Sequence, residues 1–272
     1  MTETIVTTAL GQVAVTVRGA GAAVVLLHAN PGDSRDFDAI VPVAAEHFTT
    51  YAVDWPGYGR SPALRDPAAV TAMAYADILP DILSGLGLAR AAFVGNSVGG
   101  YAAARLAITH PASVTALVLA NSGGFTRQNI VTRAVTRLKG TERVTGALIG
   151  RLPRLYLRER TPVVREMLAR DTRRRGDPAA IALEAAIWRS FNSPAHDLRG
   201  QAAQITAPVL LIWGTRDPLL GNDGRQARRC IPRATWHPLQ TGHAPFAEAP
   251  DDFLAAALPF LESAHNPAIQ PP

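Results

Sequence analysis

The chain has 272 residues, 47% of them hydrophobic and 18% charged, a composition that excludes disorder and suits one large α/β core. No apolar run reaches the roughly 18 residues that cross a bilayer, and the start Met1-Thr-Glu-Thr-Ile-Val has no basic leader pattern. A cytoplasmic protein without a membrane partner is therefore expected. The single cysteine, Cys230, excludes an internal disulfide framework and a cysteine metal cluster.

The net charge of +5 is unevenly placed: 16 Lys+Arg stand against 7 Asp+Glu between Phe125 and Gly200, and 11 against 15 elsewhere. That asymmetry marks a separate module in the middle of the chain. All the basic residues except Lys139 are arginines. No aromatic-rich basic motif accompanies them, so a nucleic-acid partner is not expected.

In chain order, Val13–Val17 alternates as an early strand, and Ala22–Leu27 is a continuous apolar run of the kind buried on both faces of a parallel sheet. Phe48–Val53 follows, then the turn-rich Asp54-Trp-Pro-Gly-Tyr-Gly-Arg-Ser61. A helix is predicted over about 68–86, kinked at Pro80. A short strand at 91–94, a helix from Val98 to Ile108 and a strand at 115–120 come next. After a long helical interlude come strands at 208–213 and 234–237 and a helix over about 250–261. Strands alternating with helices imply a mostly parallel sheet covered on both faces. The interlude at 124–200 is expected to be a helical lid inserted between core segments 1–123 and 201–264, with 265–272 a disordered tail.

One motif carries chemistry by itself. Phe93-Val-Gly-Asn-Ser97-Val-Gly-Gly100 holds G-x-S-x-G between a strand and a helix. Such a turn is so tight that the serine is strained, its hydroxyl projecting above the sheet, and glycines two residues to either side avoid collisions with backbone. The helix that follows aims its first amides and its positive dipole end at a reacting carbonyl. Ser97 is the candidate nucleophile, and a base and an orienting acid must accompany it.

Together with His28-Ala-Asn-Pro-Gly32, Asp54–Ser61, and the pair Trp213-Gly-Thr-Arg-Asp217 with Gly242-His243, this motif resembles the α/β-hydrolase superfamily over nearly the whole chain. The resemblance implies the α/β-hydrolase fold and the chain order serine, acid, histidine. His243, in a turn after the last predicted strand, is then the base. Asp217 is the acid, with Asp223 a rival close in sequence. The amide of Val98 is one candidate oxyanion donor and Asn30 the second. Relatives usually begin the latter turn His-Gly, whereas this chain has His28-Ala29. His28, Asn96 and Trp188 are candidate pocket residues; Leu155, Tyr156, Met167 and Phe191 line either the pocket or the insertion's own core.

Asn30-Pro31 is similar to the corresponding segment of haloalkane dehalogenases, but those enzymes and epoxide hydrolases use an aspartate nucleophile, which Ser97 argues against. Three readings follow. The first is an esterase or lactonase working through an acyl-serine on a small-molecule substrate. The second is a carbon–carbon bond hydrolase for anionic vinylogous diketones, whose elbow is also Gly-Asn-Ser-x-Gly-Gly and whose substrate an arginine-rich lid would help bind. The third is a non-catalytic receptor on the same scaffold. None calls for a metal or an organic cofactor, because the serine, the histidine and the oxyanion donors suffice for acyl transfer.

Overall fold

A computed structural model describes residues 1–265; of the tail expected at 265–272, His265 instead closes the last helix, and the rest lies outside the described residues. Eight strands form one sheet in the order β1-β2-β4-β3-β5-β6-β7-β8: β1 Thr2–Thr8, β2 Gly11–Arg18, β3 Ala23–Leu27, β4 Thr49–Asp54, β5 Ala91–Asn96, β6 Val114–Ala120, β7 Val209–Gly214 and β8 Thr235–Leu239. Pairs β1–β2 and β2–β4 are antiparallel, and every other pair is parallel. The architecture is the α/β-hydrolase fold that the sequence implies.

The helices are α1 Val41–His47, α2 Ala72–Asp77, α3 Leu79–Gly85, α4 Val98–Thr109, α5 Ile130–Lys139, α6 Glu142–Leu148, α7 Pro153–Tyr156, α8 Pro162–Arg173, α9 Pro178–Ser190, α10 Asp223–Cys230, α11 Pro245–Glu248 and α12 Pro250–His265. The expected kinked helix at 68–86 is two helices, α2 and α3. Ile78 caps both, and Pro80 stands in the first turn of α3, where its missing N–H has no partner to lose.

The apolar run of β3 is buried on both faces. Val25 and Leu27 pack with α2, α3 and α4 on one side of the sheet. Val24 and Leu26 pack with α1, α11 and α12 on the other. That two-sided burial is what a central parallel strand demands. Helices α5 to α9 all fall between β6 and β7, within the stretch that carries the arginine excess.

Parallel pairing lines up the carboxyl ends of the strands, where ligands bind in open α/β sheets. Asn96 is in register with Ala120 and Ala120 with Ile212. Ser97 follows β5, Asn121 follows β6, Asp217 follows β7 and His243 follows β8. Four residues spread over almost 150 positions of sequence are thereby delivered to one rim.

Candidate active site

Ser97 occupies the turn between β5 and α4 with φ 54° and ψ −113°, a left-handed region that costs a non-glycine residue on the order of 1–3 kcal/mol. A Cβ on Gly95 would come within 2.6 Å of the Gly99 carbonyl oxygen, and one on Gly99 would collide with the Leu27 carbonyl. The two glycines let helix α4 start hard against β5 and β3. Val98 opens α4, so its amide is among those that have no partner within the helix.

His243 Nδ1 lies 2.7 Å from Asp217 Oδ2, and both side chains are buried. The Asp217 carboxylate accepts further bonds from the Asn121 side-chain amide at 2.7 Å and the Leu219 amide at 2.8 Å. Burial pushes the carboxyl up, but the His243 charge and these hydrogen bonds outweigh it and hold Asp217 below the usual carboxylate range. Asp223, the rival in sequence, instead accepts from the Thr126 hydroxyl, and burial raises its carboxyl.

The turn that carries His243 is anchored on every side. Its amide donates to the Tyr156 carbonyl at 2.9 Å, and the Tyr156 ring meets the imidazole edge-on at 5.1 Å. The buried Glu248 carboxylate collects the amides of Gly242, Ala244, Arg158 and Glu159. That ties the turn to the segment just after α7.

Ser97, Val98, Asn30 and His243 share one cavity of about 90 Å³, walled mainly by residues of the β6–β7 helical segment. Trp188, Tyr156 and Phe191 line it; Met167 faces a smaller neighbouring pocket, and Leu155 is exposed. Among the described lining residues none is Lys or Arg, and Glu184 and Asp197 are the carboxylates. Burial raises Glu184 to about 7 despite the nearby Arg174, whose guanidinium lies 3.4 Å from it.

Two residues expected at the pocket do other work. His28 is fully buried with both ring nitrogens engaged: Nε2 accepts from the Trp55 amide at 3.0 Å, and Nδ1 lies 2.7 Å from the Ala29 carbonyl. It staples the Asn30 turn to the end of β4 and does not line the cavity. Asn96, also absent from the lining, spends its amide on the carbonyls of Ala120 at 2.8 Å and His243 at 2.9 Å. In both cases a buried polar side chain at a strand end satisfies backbone groups rather than facing the opening.

Sequence reasoning passed over Asn121, Tyr58 and Glu184. Asn121 has φ 40°, a conformation asparagine tolerates better than most residues, and its place directly after a central strand was the available signal. The Tyr58 hydroxyl donates to Asn30 Oδ1, and Asn30 Nδ2 donates to the Glu184 carbonyl at 3.3 Å. The Asn30 side chain is therefore clamped between the turn after β4 and helix α9.

A strained serine on an elbow and a histidine held by a carboxylate, both at one cavity, make a site suited to nucleophilic attack on a carbonyl. The chain belongs to the alpha/beta hydrolase fold family, whose model matches residues 22–250. A pimeloyl-[acyl-carrier protein] methyl ester esterase of Chromobacterium violaceum is 30% identical, covering 90% of this chain and 96% of that protein. A 2-hydroxy-6-oxononadienedioate/2-hydroxy-6-oxononatrienedioate hydrolase of Paraburkholderia phymatum is 28% identical over 87% of this chain and 86% of its own. In fold the chain is similar to the enol-lactonase of Burkholderia xenovorans, with TM-score 0.80 at 23% identity, covering 95% of this chain and all of that one (100%).

Proposed function

We propose that the protein is a serine hydrolase that cleaves a carboxylic ester or lactone through an acyl-serine intermediate. The observation that carries this reading is the 2.7 Å contact between His243 Nδ1 and Asp217 Oδ2, opening on the same cavity as Ser97. In this mechanism Asp217 holds the imidazole so that Nε2 is free to take the Ser97 proton. The serine oxygen attacks the substrate carbonyl. The amides of Val98 and Asn30 receive the oxyanion, each worth about 2.7–4 kcal/mol in the transition state. His243 then passes its proton to the departing alkoxide, and a water activated by the same imidazole releases the acid.

The helices between β6 and β7 act as a lid, excluding water and shaping the substrate pocket. The cavity's charge favours esters and lactones over the carbon–carbon substrates. A vinylogous diketone acid brings carboxylates, yet the lining offers no cation and presents Glu184 and Asp197. Arg170 and Arg174 are occupied by carboxylates of the protein itself. A methyl ester esterase is among the similar sequences and an enol-lactonase among the similar folds, and both fit the same chemistry.

The test is hydrolysis of p-nitrophenyl esters from acetate to decanoate by wild type and Ser97→Ala. Turnover abolished by the substitution supports the serine mechanism, and the chain-length optimum sizes the pocket. A folded wild type inert on every ester would leave the carbon–carbon substrates or a receptor role as the better reading.

A further inference from the structure

Helix α5 is inside out. Its inward face is polar: Thr132 and Thr136 line the cavity and Lys139 is buried. Its apolar residues face solvent instead, with Ile130 88%, Val131 69%, Val135 48% and Leu138 59% exposed. These positions repeat at i, i+1, i+5 and i+8, so they form a single stripe along the helix. Leu155 of α7, a second helix lining the cavity, is 60% exposed. Among the described residues, five of the eight exposed large hydrophobics therefore sit on two helices that line one cavity. Such clustering marks a binding surface where scattered single residues would not.

The charge around the stripe selects its partner. Between residues 127 and 160 there are nine Lys+Arg against two Asp+Glu. Arg133 and Arg137 on α5, and Arg151 and Arg154 around Leu155, are exposed. A second copy packed here across a twofold axis would set Arg133 and Arg137 against their own equivalents. The stripe is also small, about 15 Å by 10 Å for a ten-residue helix, far below the roughly 800 Å² per partner of a stable protein pair. A convex apolar ridge bordered by arginines matches instead the interfacial region of a bilayer bearing anionic headgroups.

We propose that α5 and Leu155 dock this protein on an anionic membrane surface, which sets the cavity against the headgroup layer. None of the described helices is long and apolar enough to cross a membrane, and this docking requires no such span. A helix lying in the interface has no long apolar run for sequence reading to find. The inference stands independently of the bond the site cleaves.

The test is co-sedimentation with phosphatidylglycerol vesicles and with phosphatidylcholine vesicles at low and high salt. It compares wild type with Val135→Ser/Leu138→Ser and with Arg133→Gln/Arg137→Gln. None of these four side chains lines the cavity, so turnover of a short soluble ester, unchanged in both variants, reports intact folding. Wild type is expected to bind the anionic vesicles in a salt-sensitive way and the neutral ones weakly. Loss of the apolar pair lowers partitioning about tenfold or more, and loss of each arginine about fivefold. Absence of vesicle binding at low salt, or binding that both variants retain, overturns the proposal. So does a self-association that the Val135→Ser/Leu138→Ser variant abolishes, because a second copy would then be the occupant.

Discussion

The side-chain amide of Asn121 donates to Asp217 Oδ2, the same oxygen that faces His243 Nδ1, and both contacts are 2.7 Å long. The Asn121 Oδ1 atom meanwhile accepts from the Gly214 amide at 2.7 Å. One asparagine thus joins β6 to the end of β7 and holds the carboxylate for the histidine.

Replacing Asn121 with glycine keeps the left-handed backbone and removes only the side chain. A hydrogen bond to a buried charge contributes about 1.5–3 kcal/mol. In Asn121→Gly, kcat on a p-nitrophenyl ester should therefore fall roughly ten- to a hundredfold with KM little changed. Losing a donor also raises the Asp217 carboxyl, so activity should fade at a higher pH on the acid side. A full pH–rate profile checks both effects, and wild-type kcat in the variant would mean that Asn121 merely fills space.

Glu184 gives the cavity a pH-dependent charge. With its carboxyl raised to about 7 by burial, it is protonated below that value and ionised above it. Wild type should prefer a neutral butyrate ester over a hemiester carrying a free carboxylate, and the preference should widen as pH rises from 6 to 8. Glu184→Gln removes the repulsion and leaves Arg174 with Asp171 as its remaining carboxylate partner at 3.9 Å, two changes that both favour the anion. The hemiester-to-butyrate ratio of kcat/KM at pH 8 should rise by roughly tenfold, the size of a partly screened pair interaction. An unchanged ratio would show that the substrate never approaches this side chain.

Burial lowers the folded-state pKa of His28 below the ordinary 6.5, so the unfolded chain binds the proton more readily. The sign follows from linkage: the stability this group contributes is present above pH 6.5 and is lost as pH falls toward the folded value. Thermal unfolding of wild type and His28→Gln between pH 7.5 and 5 should show the variant less stable at the upper end. The difference should shrink on acidification. A gap that stays constant with pH would contradict a neutral, buried His28.

The fold was readable because central parallel strands must be apolar on both faces, as Ala23–Leu27 and Val209–Gly214 are, and few other elements share that pattern. The elbow was readable because Gly95, Ser97 and Gly99 fall within five consecutive residues, between a strand and a helix. Asp217 stood ahead of Asp223 in the sequence through the Trp213-Gly-x-x-Asp217 match, and the contact with His243 belongs to Asp217. What escaped depended on distant partners. His28 and Asn96 sit in motif segments, which gave them the look of pocket residues, yet His28 bonds to Trp55 just after β4 and to its neighbour Ala29, and Asn96 to β6 and the His243 turn. The inverted face of α5 escaped for the opposite reason: reading periodicity assumes that apolar stripes face inward, and this one does not.

The proposed hydrolysis turns on a covalent acyl group on Ser97. The direct measurement is mass spectrometry of protein quenched within milliseconds of mixing with a p-nitrophenyl ester, followed by peptide mapping. The acyl mass is expected on the peptide that contains Ser97, with no increment in Ser97→Ala. Ester turnover that persists in Ser97→Ala without any adduct would contradict it.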